Sequence, residues 1–257
     1  MSEAPRHNPM MRVLDFYWEQ SRRPLASLVF IVPFLVVYEA GVLFFGPERV
    51  RNGADAWLRQ LLDLMGFGQY FLLPVLIVFI LLGWHYVTRQ PWRLSRGLIW
   101  GMAIECVALS ICLRLLLQVL SYVFPHIAAV VTADVSAVAY TMAADAVGFL
   151  GAGIYEELLF RLILLSLVAW ALRRTGLKPA AALTLAVLAT CVLFALAHYV
   201  PPGGYAFHWG DPTSWFSLAF RLLAGVFFSL LFWYRGFGIA AGAHAGYDIL
   251  AGLFPQL

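Results

Sequence analysis

Apolar residues run in seven long stretches separated by short polar ones, at about 25–45, 70–88, 97–123, 146–172, 179–199, 216–234 and 237–254. A bilayer crossing needs roughly 20 apolar residues, so the pattern predicts an all-α polytopic membrane bundle of about seven transmembrane helices. Residues 1–23 are polar and mixed in charge and close on Arg22-Arg23-Pro24, a tail ahead of one membrane domain over 24–257. The first apolar stretch is too long for the core of a signal peptide and no small-residue cleavage pattern follows it, so it reads as an uncleaved span. Between the first two spans, Ala54 to Met65 sets apolar residues at helical spacing with charges between them, the pattern of a short interfacial helix. Residues 126–145 are apolar enough for an eighth span, but Asp134, Asp145 and several Ser and Thr favour a loop or re-entrant piece.

Composition agrees with this reading. Hydrophobic residues make up 62% and charged residues 12%, against about 45–50% and 25% in soluble domains. The net charge of +3 comes with no basic run dense enough to follow phosphates, which excludes a nucleic-acid surface. With seven spans, eleven basic residues fall on one side and three on the other; an eighth span would make it seven against seven. The positive-inside rule then puts the N-terminus in the cytoplasm and the C-terminus outside, in a plasma (inner) membrane. Trp84, Tyr86, Trp92, Trp209, Trp215, Trp233 and Tyr234 cluster near span ends as an aromatic belt. Cys106, Cys112 and Cys191 lack metal spacing and read as small buried hydrophobes.

The fourth span breaks the apolar rule with Glu156, Glu157 and Arg161. Charge at membrane depth is costly, so a helix carrying three such groups needs partners inside the protein. Residues four apart share a helix face: Glu157 lies beside Arg161, while Glu156 points about 100° away with Phe160 as its neighbour. Glu157 is thereby the ion-paired, structural carboxylate, and Glu156 is free to act as a general base or acid. The alternative is a packing ion pair plus a carboxylate facing a water pocket. Two later spans, otherwise read as uncharged, bring Phe194-Ala-Leu-Ala-His198 and His244-Ala-Gly-Tyr-Asp248, the latter with both polar groups on one face. Glycines 236, 238, 242 and 246 allow close packing around that face. His208 reads as an outer-loop turn residue, and His126, beside Pro125, as a loop residue.

In this order the three motifs resemble the CPBP family, the type II CAAX prenyl proteases and their bacterial relatives, over residues 146–252. The resemblance implies an intramembrane endopeptidase in which Glu156 and His198 activate a water while His244 and the residue at 248 stabilise the oxyanion. The family often has Asn at that last position; Asp248 donates a hydrogen bond only when protonated, and otherwise orients His244 or ligates a metal. Glu156, Glu157, Arg161, His198, His244 and Asp248 form the candidate site. The HExxH spacing of zinc proteases is absent, and Glu/His water activation needs no cofactor. A divalent metal such as zinc on Glu156, His198, His244 and Asp248 stays open as the alternative. The expected partners are a membrane-associated protein or peptide substrate and the bilayer. The rival readings are a non-proteolytic accessory or immunity protein of the same family and a proton-coupled transporter, the latter expected to show repeats that are not evident here.

Overall fold

The computed structural model describes residues 9–67, 72–123, 139–201 and 206–254. Among these there are helices and no strands. The helices are α1 (Pro9–Ser21), α2 (Pro24–Phe45), α3 (Pro47–Val50), α4 (Gly53–Leu64), α5 (Leu72–Val87), α6 (Leu98–Val123), α7 (Ala139–Glu157), α8 (Ser166–Arg174), α9 (Pro179–Ala197), α10 (Pro212–Arg235) and α11 (Phe237–Leu253). A π-helical segment, Leu158–Leu165, joins α7 to α8 without a break. The seven expected apolar spans all appear, as α2, α5, α6, the α7–α8 unit, α9, α10 and α11. Four of them, α2, α6, α9 and α10, are long and apolar enough to cross a membrane by length and composition. Large apolar side chains are exposed along the spans, among them Leu43, Phe79, Ile104 and Val119. Such a surface suits acyl chains, so the molecule is an integral membrane helical bundle.

Local signals set the ends of these helices. Pro24, Pro179 and Pro212 occupy first turns, where no backbone N–H is missed. Gly46 (φ 92°) and Gly236 (φ 85°) end α2 and α10 in a conformation that side chains disfavour, each N–H returning to a carbonyl four residues back. Asn52 caps α4 by accepting from Asp55 N–H at 2.8 Å.

The bundle is organised around α11, which is buried from Phe237 through Ala245 and packs on α7, α6, α10 and α2. Its glycines make this possible, as the sequence suggests. A Cβ on Gly238 would stand 2.8 Å from Ser27 Cα, and one on Gly242 2.6 Å from the Phe30 ring. Gly153 on α7 has the same function and was not singled out by its spacing. A Cβ there would lie 2.6 Å from Ala241 O and 2.7 Å from Ala245 N.

Several expectations need correction. The fourth span begins by Ala139 rather than about 146, so the last residues of the proposed loop or re-entrant piece are helical. Asp145 tolerates this because it lies 3.5 Å from Arg49 on the polar side of α7. Residues 124–138, which include His126 and Asp134, lie outside the described residues, as do residues 1–8 and 202–205. The spans are not free of other charge: Glu39 lies in α2, Glu105 and Arg114 in α6, and Arg221 in α10. Cys112 is exposed, unlike buried Cys106 and Cys191. Arg235 is not a loop cation. It is 4% exposed, holds both carboxylate oxygens of Glu105 at 2.6 Å, and donates to Ser21 Oγ at 2.9 Å. Tyr17 donates to the same Glu105 at 2.5 Å, which ties α1 to α6.

α4 forms as expected, with one difference. Asp55 and Arg59 face inward, fully or almost fully buried. Arg59 Nε lies 2.5 Å from Asp55 and its Nη2 2.9 Å from Glu39. Tyr38 donates to Asp55 at 2.7 Å and Tyr155 to Glu39 at 2.5 Å. These carboxylates support the Arg59 guanidinium, whose pKa is raised by Asp55 and then Glu39 against the opposing effect of burial.

Candidate active site

Glu156 and Glu157 close α7, where the chain passes into the π-helical segment. Such segments are rare and frequently occur at functional sites. The two glutamates separate as their helical phase requires. Glu157 is fully buried, and its Oε1 is shared between Arg161 Nη1 at 2.9 Å and His244 Nδ1 at 2.8 Å. Arg161, 1% exposed, also donates to the Gly225 carbonyl at 3.3 Å, and its guanidinium lies 4.2 Å from the centre of the Phe194 ring. This cation has a carboxylate, a carbonyl and an aromatic face around it, which is what burial of a charge demands.

Glu156 turns the other way, into a cavity of about 880 Å³. Its Oε2 is 3.8 Å from His198 Nε2 and 3.7 Å from His244 Nε2. His198 caps α9; its Nδ1 lies 2.8 Å from the Phe194 carbonyl. A carbonyl only accepts, so Nδ1 carries the hydrogen and the lone pair of the neutral ring is on Nε2, toward Glu156. His244 stacks on Phe228 with ring centres 4.3 Å apart and planes 12° apart. Its Nε2 stands 3.5 Å from Asp248 Oδ2, one turn along α11. Three carboxylates therefore surround one imidazole ring.

The structure thus brings all six sequence-derived residues together, drawn from α7, the π-helical segment, α9 and α11. Glu156, His198, His244 and Asp248 line the cavity, while Glu157 and Arg161 stand behind it. His208 is not among the lining residues; it is exposed, and its backbone N–H donates to Ser214 Oγ at 3.3 Å in the turn before α10. Among the described residues no group of three or more His, Cys, Asp or Glu side chains is placed to hold a metal ion.

Sequence reasoning overlooked two cations of this cavity, Arg114 from α6 and Arg221 from α10. The signal was there: each is a charged residue inside an apolar helix, the same feature that singled out Glu156. It also overlooked the support behind α7, where Tyr155, next to Glu156, is tied to Glu39 and so to Arg59 on α4.

Comparison with known proteins places the motifs. No curated protein and no solved structure matches the chain. Residues 138–250 match the family model described as Type II CAAX prenyl endopeptidase Rce1-like, and this stretch holds every motif residue from Glu156 to Asp248. Over residues 138–250 the chain is thus similar to the Rce1-like type II CAAX prenyl endopeptidases.

Proposed function

We propose that the protein is an intramembrane endopeptidase that hydrolyses a peptide bond of a membrane-associated protein or peptide, with Glu156 and His198 activating the water. The observation that carries this reading is the 3.8 Å gap between Glu156 Oε2 and His198 Nε2 at the wall of a cavity large enough for a peptide segment. One water hydrogen-bonded to both atoms fits such a gap, since each bond spans about 2.8 Å. It donates one hydrogen to the carboxylate and the other to the histidine lone pair, leaving an oxygen lone pair for the substrate carbonyl.

The steps follow from these roles. Glu156 takes the proton as the water oxygen bonds to the carbonyl carbon. The carbonyl electrons move to oxygen, and the His244 imidazolium donates from Nε2 to that oxyanion. The ring carries both protons because Nδ1–H is engaged by Glu157 while Glu156 and Asp248 face Nε2. Asp248 orients His244 in this scheme rather than donating to the oxyanion. Collapse of the intermediate breaks the C–N bond, and Glu156 returns its proton to the leaving amine.

The membrane proteomes of cells carrying wild-type or Glu156→Gln protein test the reading. New protein termini should appear with the wild type and be missing with the variant. Identical termini, with a cellular phenotype that survives the substitution, would favour a non-proteolytic accessory role instead.

A further inference from the structure

Glu156 and His198 stand on separate helices, the first at the end of α7 and the second at the cap of α9, so packing alone sets the 3.8 Å between them. Helix α4 reaches the chain beside each. His198 opens a turn in which Tyr199 N–H donates to Leu196 O at 2.9 Å and Val200 N–H to Ala197 O at 3.2 Å. At the end of that turn Trp57 Nε1 of α4 donates to Pro201 O at 3.2 Å, three residues past His198. The Tyr199 hydroxyl holds the same turn to the start of α10, donating to Ser214 O at 3.3 Å.

Glu156 is reached by a second route. Two residues along α4 from Trp57, Arg59 Nη2 lies 2.9 Å from Glu39 Oε1, and Tyr155 donates to that same oxygen at 2.5 Å. Tyr155 precedes Glu156 in the chain, so its side chain restrains the backbone that carries the carboxylate. The Tyr38 ring, 5.3 Å from that of Tyr155, is held in turn by Asp55 of α4 at 2.7 Å. α4 is a firm reference for both contacts: Asn52 caps it, and its Ala54, Leu58 and Leu62 are buried.

Resting on the peptidase reading, we propose that Trp57 is a positioning residue for His198, and that α4, through Trp57 and Arg59, sets the spacing of the water-activating pair. Neither side chain takes part in the proton transfers. A water held by two atoms tolerates little change in the gap between them, and a misplacement near 1 Å can cost about a hundredfold in rate. The indole suits the task because its N–H only donates and sits on a rigid ring. It holds a carbonyl at a set distance and offers no competing base.

The experiment uses full-length protein in phosphatidylcholine nanodiscs. Backbone hydrogen exchange is measured without substrate. Cleavage is measured on a quenched fluorescent peptide built on a site that the proteome comparison yields. Trp57→Phe removes the donor and keeps an aromatic ring. The Tyr199 and Val200 amides should then exchange about tenfold or more faster, with those of α2 and α6 unchanged. Arg59→Lys keeps the charge without the fork, and the faster exchange should fall at the end of α7. In each variant kcat should drop about tenfold or more with KM unchanged, because the loss is in the reacting geometry. Trp215→Phe is the control. It removes a comparable indole bond, to Trp209 O at 3.0 Å, and should leave kcat and the exchange at Tyr199 and Val200 as they are.

Unchanged exchange at Tyr199 and Val200 in Trp57→Phe overturns the proposal. So does faster exchange spread evenly over the chain, which marks a general loss of stability. Trp57 also lines the cavity, so a rise in KM with kcat unchanged would make it a substrate contact and overturn the positioning role. Local exchange changes as expected, with no cleavage by the wild type, defeat the peptidase reading alone. Cleavage with kcat unaffected in Trp57→Phe defeats the positioning role alone. Where Arg59→Lys does not fold, Trp57→Phe carries the test, since Trp57 is only partly buried and its substitution removes a single donor.

Discussion

His244 Nδ1 lies 2.8 Å from Glu157 Oε1, so the histidine of α11 is oriented by the carboxylate at the end of α7. Both side chains are almost fully buried. The contact fixes which ring nitrogen faces the cavity, and it joins the first motif to the third across the most intimate helix pair of the bundle. Glu157 therefore does more than neutralise Arg161, although it faces away from the water-activating pair.

The two glutamates should consequently fail in different ways. Glu156→Gln keeps the shape and removes the base, so hydrolysis should be abolished while the amount of folded protein stays near normal. Glu157→Gln leaves Arg161 without its buried counter-charge, a loss of about 3–5 kcal/mol for pairs of this kind. Arg161→Ala strands Glu157 in the same way. Membrane yield and thermal unfolding of the three variants, measured side by side, check this. Equal losses in all three would make Glu156 structural too.

Close approach of α7 and α11 should be as necessary as the acids. Gly153→Ala drives a methyl group into Ala241 O and Ala245 N, which are backbone atoms and do not rotate away. The helices must separate, and Glu157 then loses His244. We expect a clear fall in melting temperature and activity. Gly83→Ala is the control, since a Cβ at Gly83 meets nothing within 4 Å and alanine favours the helix by about 0.5–1 kcal/mol. Loss of stability in Gly83→Ala matching that of Gly153→Ala would show that local space is not the cause.

Much of the site was legible because helical phase is a local property. The four-residue spacings of Glu157 with Arg161 and of His244 with Asp248 survive in the structure as ion pairs of 2.9 Å and 3.5 Å. Contacts between helices are not local. Nothing near Glu39 in the chain announces Arg59 and Tyr155 as its partners, and nothing near Glu105 announces Arg235 and Tyr17. Average hydropathy hid all four of the remaining span charges, because one Arg in a helix such as α6 barely changes the mean. The π-helical segment was invisible for a similar reason: Leu158–Leu165 is a run of good helix formers apart from Phe160 and Ile163, and the choice between i→i+4 and i→i+5 bonding is made by packing.

The buried network behind α7 should be sensitive to single atoms. Tyr155→Phe removes only a hydroxyl that donates to Glu39 at 2.5 Å, and hydrogen bonds to charged groups contribute about 1.5–3 kcal/mol. Arg59→Ala removes the buried cation that Asp55 and Glu39 share and should cost more, about 3–5 kcal/mol. Thermal or denaturant unfolding in one detergent ranks the two. A Tyr155→Phe protein indistinguishable from wild type would mean that Glu39 has another donor in solution, and that the network does not hold Glu156 in place.

The last prediction is the side from which substrate enters. With the N-terminus in the cytoplasm, as the positive-inside rule predicts, α9 would run outward from the basic residues Arg173, Arg174 and Lys178, and His198 caps its far end. Nineteen helical residues precede that cap, which is about 28 Å at 1.5 Å per residue. The first turns of α7 extend past the apolar boundary near residue 146, with Asp145 paired to Arg49. Glu156, ten residues beyond that boundary, then lies about 15 Å deep. Glu156 and His198 are nonetheless 3.8 Å apart, so their depths agree to within a few ångströms, as a tilt of α9 would bring about, and the same cavity extends to Arg49, Asn52 and Trp57. We therefore expect a site at mid-depth or in the outer half, opening to the non-cytoplasmic side. Gly210 in the loop after His198 is exposed, and a Cβ there meets nothing within 4 Å. A Gly210→Cys protein in a Cys112→Ser background, treated on intact cells with a membrane-impermeant thiol reagent, should label at once. Labelling only after the membrane is opened would put that loop inside the cell and reverse the whole orientation.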